Sequence, residues 1–136
     1  MIYLNTLQAQ EVIERATERA KEISVNASIS VVDSGAHLIA FRRMDGSAIG
    51  SGDVSQRKAR TAALFGFDSG DFGKIIGKLK LTGMEHSNGG LAAFPGGIPI
   101  LSKQGIAGAI GVSGGSPEQD LDIASYALDN FLDNNA

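Results

Sequence analysis

Glycine placement constrains this chain more than any other feature. None of the first 34 residues is glycine, whereas ten of the 18 glycines fall between Gly83 and Gly115. Glycine accepts positive φ without strain and lets two backbones touch. Its concentration predicts unusual turns and close approaches in one stretch of the second half, and regular elements before it.

The regular elements follow from apolar periodicity. Leu7, Val12, Ile13, Ala16, Ala20 and Ile23 share one helical face from Asn5 to about Ile23. Asn5 and Gln8 have the spacing of a capping box, with Thr6 as the other candidate cap. Residues 27–32 then turn β-branched and alternating, Asp33-Ser34-Gly35 supplies a turn, and residues 36–42 resume a strand, which together predict a β-hairpin. A helix follows over about Asp53–Phe65, with Val54, Lys58, Thr61, Ala62 and Phe65 on one side.

From Gly66 to Gly96 glycines interrupt every pattern; the expectation is short helical turns around Phe72–Leu79 and a brief strand at Leu91–Phe94. Residues 97–102 and 105–113 form a second hairpin, in which Pro99 implies an unpaired side or a bulge. The last helix starts with Ser116 as cap, Pro117 at its first position and Gln119 closing a capping box. It is expected to run to about Leu132, burying Leu121, Ala124, Leu128, Phe131 and Leu132 ahead of a polar end. This order favours an antiparallel sheet with packed helices, an α+β fold in a single domain over residues 1–136.

Composition removes several functions. Twelve Lys and Arg against fifteen Asp and Glu give a net charge of −3, the reverse of a nucleic-acid binder's footprint. The absence of cysteine excludes disulfides, thiolate metal sites and a cysteine nucleophile. No apolar run approaches the roughly 20 residues that cross a bilayer, and the N-terminus lacks a basic region followed by a hydrophobic stretch. A cytoplasmic protein with neither nucleic-acid nor membrane partner is the expectation.

Few constellations carry chemistry. Gly105, Gly108 and Gly111 lack the G-x-G-x-x-G order, and no G-K-[ST] follows them. Gly114 and Gly115 join a strand to a helix N-terminus, where free N–H groups suit a carboxylate or phosphate; close packing of helix on sheet is the plainer account of such glycines. His37 and His86 lie 49 positions apart, so no metal-ligand spacing exists. Lys58 falls on the face expected to be buried, where a charge must snorkel, pair with a carboxylate or serve a ligand. Arg43 is a candidate carboxylate fork, and Asp53–Arg57 is an ordinary helical i,i+4 pair. Glu85 and His86 occupy a polar loop that is either a mobile lid or a plain surface loop. No Ser-His-Asp arrangement is present; proton transfer by Asp45, His37 or Glu85 is the weaker catalytic candidate.

Five stretches together carry a specific resemblance: Val31-Val32-Asp33-Ser34-Gly35-Ala36-His37-Leu38, Arg42-Arg43-Met44-Asp45-Gly46, Lys58-Ala59-Arg60-Thr61-Ala62, Pro95-Gly96-Gly97-Ile98-Pro99 and Gly108-Ala109-Ile110-Gly111-Val112-Ser113-Gly114-Gly115. In this order the chain resembles the GlcG/HbpS family, whose haem-binding-protein-like domain also ends PduO-type cobalamin adenosyltransferases. The resemblance implies a profilin-like α/β/α sandwich with a five-stranded antiparallel sheet, and a homo-oligomer, dimer or higher. It departs from the family pattern twice. The first helix has no histidine for an iron ligand, and the usual Gly-Gly-His-Leu turn is Gly35-Ala36-His37-Leu38. Adenosyltransferase activity is not carried over to a single domain.

On that footing the chain is expected to bind a small ligand, haem or a corrinoid such as cobalamin, between the first hairpin and the second helix. His37 or Met44 is the candidate axial ligand, and Arg43, Arg57 and Lys58 meet the carboxylates. The alternative is an enzyme or accessory factor for a small hydroxy acid or diol-derived metabolite, as in glycolate, glycerol or propanediol utilisation. There Asp45, His37 and Glu85 handle protons while Gly114 and Gly115 hold an anion. A purely structural partner in a larger assembly is the third reading.

Overall fold

The structure, a computed structural model, describes residues 3–131. Its elements are α1 (Thr6–Glu22), β1 (Ser28–Asp33), β2 (Leu38–Arg43), α2 (Ser51–Phe65), α3 (Ser69–Lys78), a 3-10 turn (Met84–His86), β3 (Gly97–Ser102), β4 (Gly105–Ser113) and α4 (Pro117–Leu128). Both capping boxes form: Asn5 with Gln8 on α1, and Ser116 with Gln119 on α4. Each satisfies helix N–H groups that would otherwise lack a partner, a contribution of about 1 kcal/mol. The helix expected to reach Leu132 stops at Leu128, because Asp129 is extended and Asn130 takes a positive φ of 55°. Leu132 and the polar end lie outside the described residues.

The sheet is antiparallel, in the order β2-β1-β4-β3. It has four strands among the described residues, so the expected five-stranded sheet is corrected. The segment Leu91–Phe94 is not a strand, because its backbone groups bond elsewhere. The Leu91 N–H goes to the Glu85 carbonyl, the Ala92 N–H to Thr61 Oγ1, and the Phe94 carbonyl accepts from Ser69 Oγ. Pro99 lies on β3 at the sheet edge, one residue before an irregularity at Ile100/Leu101.

Helices cover both faces. Ile29, Val31, Ile110 and Val112 point toward α1 and α4 and join Val12, Ile13, Ala16, Ile123, Ala124 and Phe131 in the main core. Val32 and Ala109 point the other way, against Ala59, Ala62 and Ala63 of α2. On that side hydroxyl pairs replace bulk: Ser28 meets Ser51 at 2.9 Å and Ser30 meets Ser55 at 2.6 Å. Gly111 makes the approach possible, since a Cβ there would stand 2.0 Å from the Ser55 carbonyl oxygen and 2.6 Å from the Ala59 nitrogen. Gly111 is therefore the packing device of β4 that brings α2 against the sheet.

Candidate functional site

Lys58 is the one charge that the helix pattern places inside, and it is inside: its side chain is 1% exposed. Its Nζ donates to the Val112 carbonyl at 2.8 Å and to Asp120 Oδ2 at 3.0 Å, and lies 4.9 Å from the centre of the Phe94 ring. Asp120, 4% exposed, accepts from the Gly115 N–H at 2.8 Å through its other oxygen, and the Gly114 N–H is a further favourable contact. Burial holds the Asp120 carboxyl above its ordinary range, opposed by the Gly115 N–H and by Lys58. Burial likewise holds the Lys58 amine below its ordinary range, opposed by Asp120. Gly96 leaves room for this cluster, as a Cβ there would meet Lys58 Nζ at 2.8 Å.

The Gly115 N–H thus bonds the chain's own Asp120, a residue that the sequence reading missed. Its signal was faint, because an acid in the first turn of a helix ordinarily complements the helix dipole.

The remaining candidates fall in three places. His37 is exposed in the β1–β2 turn, after Asp33, whose carboxylate accepts from the Gly35 and His37 N–H groups. Arg43, Met44 and Asp45 lie together at the far end of β2. They line a cleft of about 490 Å³ with Thr17, Lys21, Asn26 and Arg42. Arg57 sits on the outer side of α2, bonded to Asp53 at 2.7 Å and to the Gly89 carbonyl at 2.7 Å. Glu85 and His86 belong to a segment that Arg57, Arg60 and Thr61 tie to α2.

The β2 end has two surfaces that meet at Arg43. Strand pairing sets Phe41 opposite Ser30 and Arg43 opposite Ser28, so both point to the α2 side of the sheet. There α2 lies over β1, β4 and β3 and leaves β2 at its margin, so Leu38 and Phe41 are 47% and 41% exposed. Gly52 lets the edge of α2 approach the Phe41 ring. Around the corner, the cleft offers the Met44 thioether, partly buried against the core and accepting the Ala27 N–H at 3.5 Å. Arg42 is engaged by Glu14 at 2.5 Å and by Thr17. Arg43 and Lys21 have no ion pair among the described residues. An apolar ledge ending in an unpaired guanidinium beside a soft sulfur donor suits a flat apolar body that carries a carboxylate.

The family model for "Haem degrading protein HbpS-like" matches residues 4–129. The chain belongs to the HbpS-like family. It is 36% identical over 133 residues to an uncharacterized 15.0 kDa protein of the dhaT-dhaS intergenic region of Citrobacter freundii, covering 93% of this chain and 91% of that one. It is 35% identical over 122 residues to protein GlcG of Escherichia coli K12, covering 82% of each. Among solved structures, a complex of PduOC with haem superposes with a TM-score of 0.88 at 28% identity, over 94% of both chains. The family-level resemblance and the α+β antiparallel fold are thereby established. No helix of the described residues is long and apolar enough to cross a membrane.

Proposed function

We propose that this HbpS-like protein binds haem or a closely related tetrapyrrole at the β2 end, with the macrocycle against Met44 in the cleft and a propionate on Arg43. The observation that carries the reading is Arg43 itself, without an ion-pair partner among the described residues, where an apolar strand face meets the cleft holding Met44. The haem complex of PduOC supports the ligand class. Haem supplies an iron centre and anionic propionates, whereas the periphery of cobalamin carries mostly neutral amides, so an unpaired guanidinium favours haem. Met44 lies in the cleft and His37 some seven residues away along β2, a separation of about 23 Å for an extended strand, so Met44 is the better candidate iron ligand. Lys58 is committed to Asp120, and Arg57 lies on the outer side of α2 beside Gly89, so both stand outside this reading.

The test is spectroscopic. Met44→Leu keeps the shape and removes the donor, so it should shift the Soret band of the haemin-loaded protein while His37→Ala leaves it unchanged. The reverse pattern would move the ligand to His37, and no effect from either would remove both.

The accessory-factor reading is favoured by a separate observation, the pair of arginines on the outer side of α2.

A further inference from the structure

Arg57 and Arg60 stand one turn apart on the side of α2 away from the sheet, and among the described residues they have between them one carboxylate partner, Asp53. Their other partners are neutral. Arg57 Nη1 donates to the Gly89 carbonyl at 2.7 Å, Arg60 Nη2 to the Asn88 carbonyl at 3.0 Å, and Arg60 Nη1 to the Gly90 carbonyl at 3.5 Å. Three successive carbonyls thus converge on two guanidinium groups. The backbone achieves this by taking positive φ at three residues in a row: Asn88 at 54°, Gly89 at 75° and Gly90 at 101°. The last of these φ values favours glycine at position 90, and a Cβ there would lie 1.9 Å from Arg57 Nη1 and push that guanidinium aside.

The segment is knit to itself as well as to α2. Gly90 N–H bonds Ser87, Leu91 N–H bonds Glu85, and His86 N–H bonds Gly83, which has a positive φ of 91°. Leu91 and Ala92 are buried behind it, with the Ala92 N–H on Thr61 Oγ1. Residues 83–90 are therefore a self-contained unit anchored at one end by buried Leu91 and Ala92 and fastened to α2 by guanidinium-to-carbonyl bonds. Hydrogen bonds with one ionised partner are already roughly twice as strong as neutral ones, so the three carbonyl bonds are themselves charge-assisted. An oxyanion that reaches these guanidinium groups adds the attraction of a second, opposite charge, which no carbonyl supplies.

We propose that Arg57 and Arg60 form a binding site for a small oxyanion, a carboxylate in the first instance. In the free protein the site is filled by the carbonyls of Asn88, Gly89 and Gly90, and occupation lifts residues 83–90 off α2. The released segment carries Glu85 and His86, whose side chains approach to 4.0 Å with His86 85% exposed, so an acid–base pair lies on the same unit that the anion moves. The site is independent of the β2 end and of any tetrapyrrole.

The experiment is a ¹⁵N NMR titration of the protein without tetrapyrrole, following the arginine Nε–H signals and the amides of residues 83–92. Malonate, inorganic phosphate and sodium chloride are compared at matched ionic strength. Saturable shifts of the Arg57 and Arg60 signals and of the segment amides with malonate, weakened tenfold or more in Arg60→Gln, are expected. Saturation by phosphate with none by malonate would reassign the ligand to a phosphate and overturn the carboxylate. Identical, non-saturating shifts in all three salts would be an ionic-strength effect only and would overturn the site. Since Arg60→Gln alters an exposed contact, its amide spectrum away from α2 should match that of the parent.

Discussion

Replacing Lys58 by Met tests the physics of the interior directly. The substitution keeps most of the aliphatic length but removes the charge, leaving Asp120 at 4% exposure with the Gly115 N–H and without its cation. Breaking a buried pair on one side costs about 3–5 kcal/mol, because an uncompensated charge remains. That is a large part of the roughly 5–15 kcal/mol that holds a domain of this size together. The loss should depend on pH. Asp120 is already held above its ordinary range by burial, and without Lys58 it rises further.

Between the ordinary and the raised pKa the folded variant binds a proton that the unfolded chain does not. Its stability therefore increases as pH falls from 7 through the raised value, and levels off near the ordinary value. Urea denaturation at pH 7 and pH 5 measures this. Lys58→Met should be destabilised by several kcal/mol at pH 7 and recover part of it at pH 5. The double variant Lys58→Met/Asp120→Leu should recover most of the loss at both pH values, as replacement of a buried pair by apolar groups often does. A single variant as stable as the parent at pH 7, with no added pH dependence, would refute the account of Lys58 and Asp120 as a dry ion pair.

Two further predictions concern packing and surface charge. Gly111→Ala drives a methyl into the α2 backbone and should cost at least the ~1–3 kcal/mol of overpacking, whereas Gly77→Ala, which meets nothing within 4 Å on α3, should gain up to ~1 kcal/mol; thermal denaturation of the two variants reads the difference. Arg19 holds the Asp122 carboxyl below its ordinary range, so this link between α1 and α4 contributes stability that is present above the unfolded pKa and is lost as pH falls through the lowered one. Asp122→Asn should flatten the acid limb of the stability curve by less than about 1 kcal/mol, measured by denaturation from pH 6 to pH 3.

The parts of the fold legible in the sequence are those fixed by local chemistry. Asn5 with Gln8 and Ser116 with Gln119 set two helix starts, and the turn at Asp33-Ser34-Gly35 sets the first hairpin. The supposed strand at Leu91–Phe94 was not legible, because tertiary bonds to Thr61, Glu85 and Ser69 took the groups that a strand would pair. Helical periodicity was enough to place Lys58 inside, but its carboxylate lies 62 residues away on another element, where no local pattern points to it. The glycines from Gly105 to Gly115 suggested both an anion site, at Gly114 and Gly115, and close packing. Gly111 serves packing, and the N–H of Gly115 holds Asp120.

Haemin titration of the purified apoprotein, read by the Soret band and by native mass, tests the central claim most directly, with Arg43→Gln and cobalamin as comparisons. The account predicts saturable binding of one haemin per chain, weakened about tenfold in Arg43→Gln, a difference of about 1.4 kcal/mol, and weaker binding of cobalamin. Absence of saturable haemin binding would contradict it, as would an Arg43→Gln curve that overlays the parent.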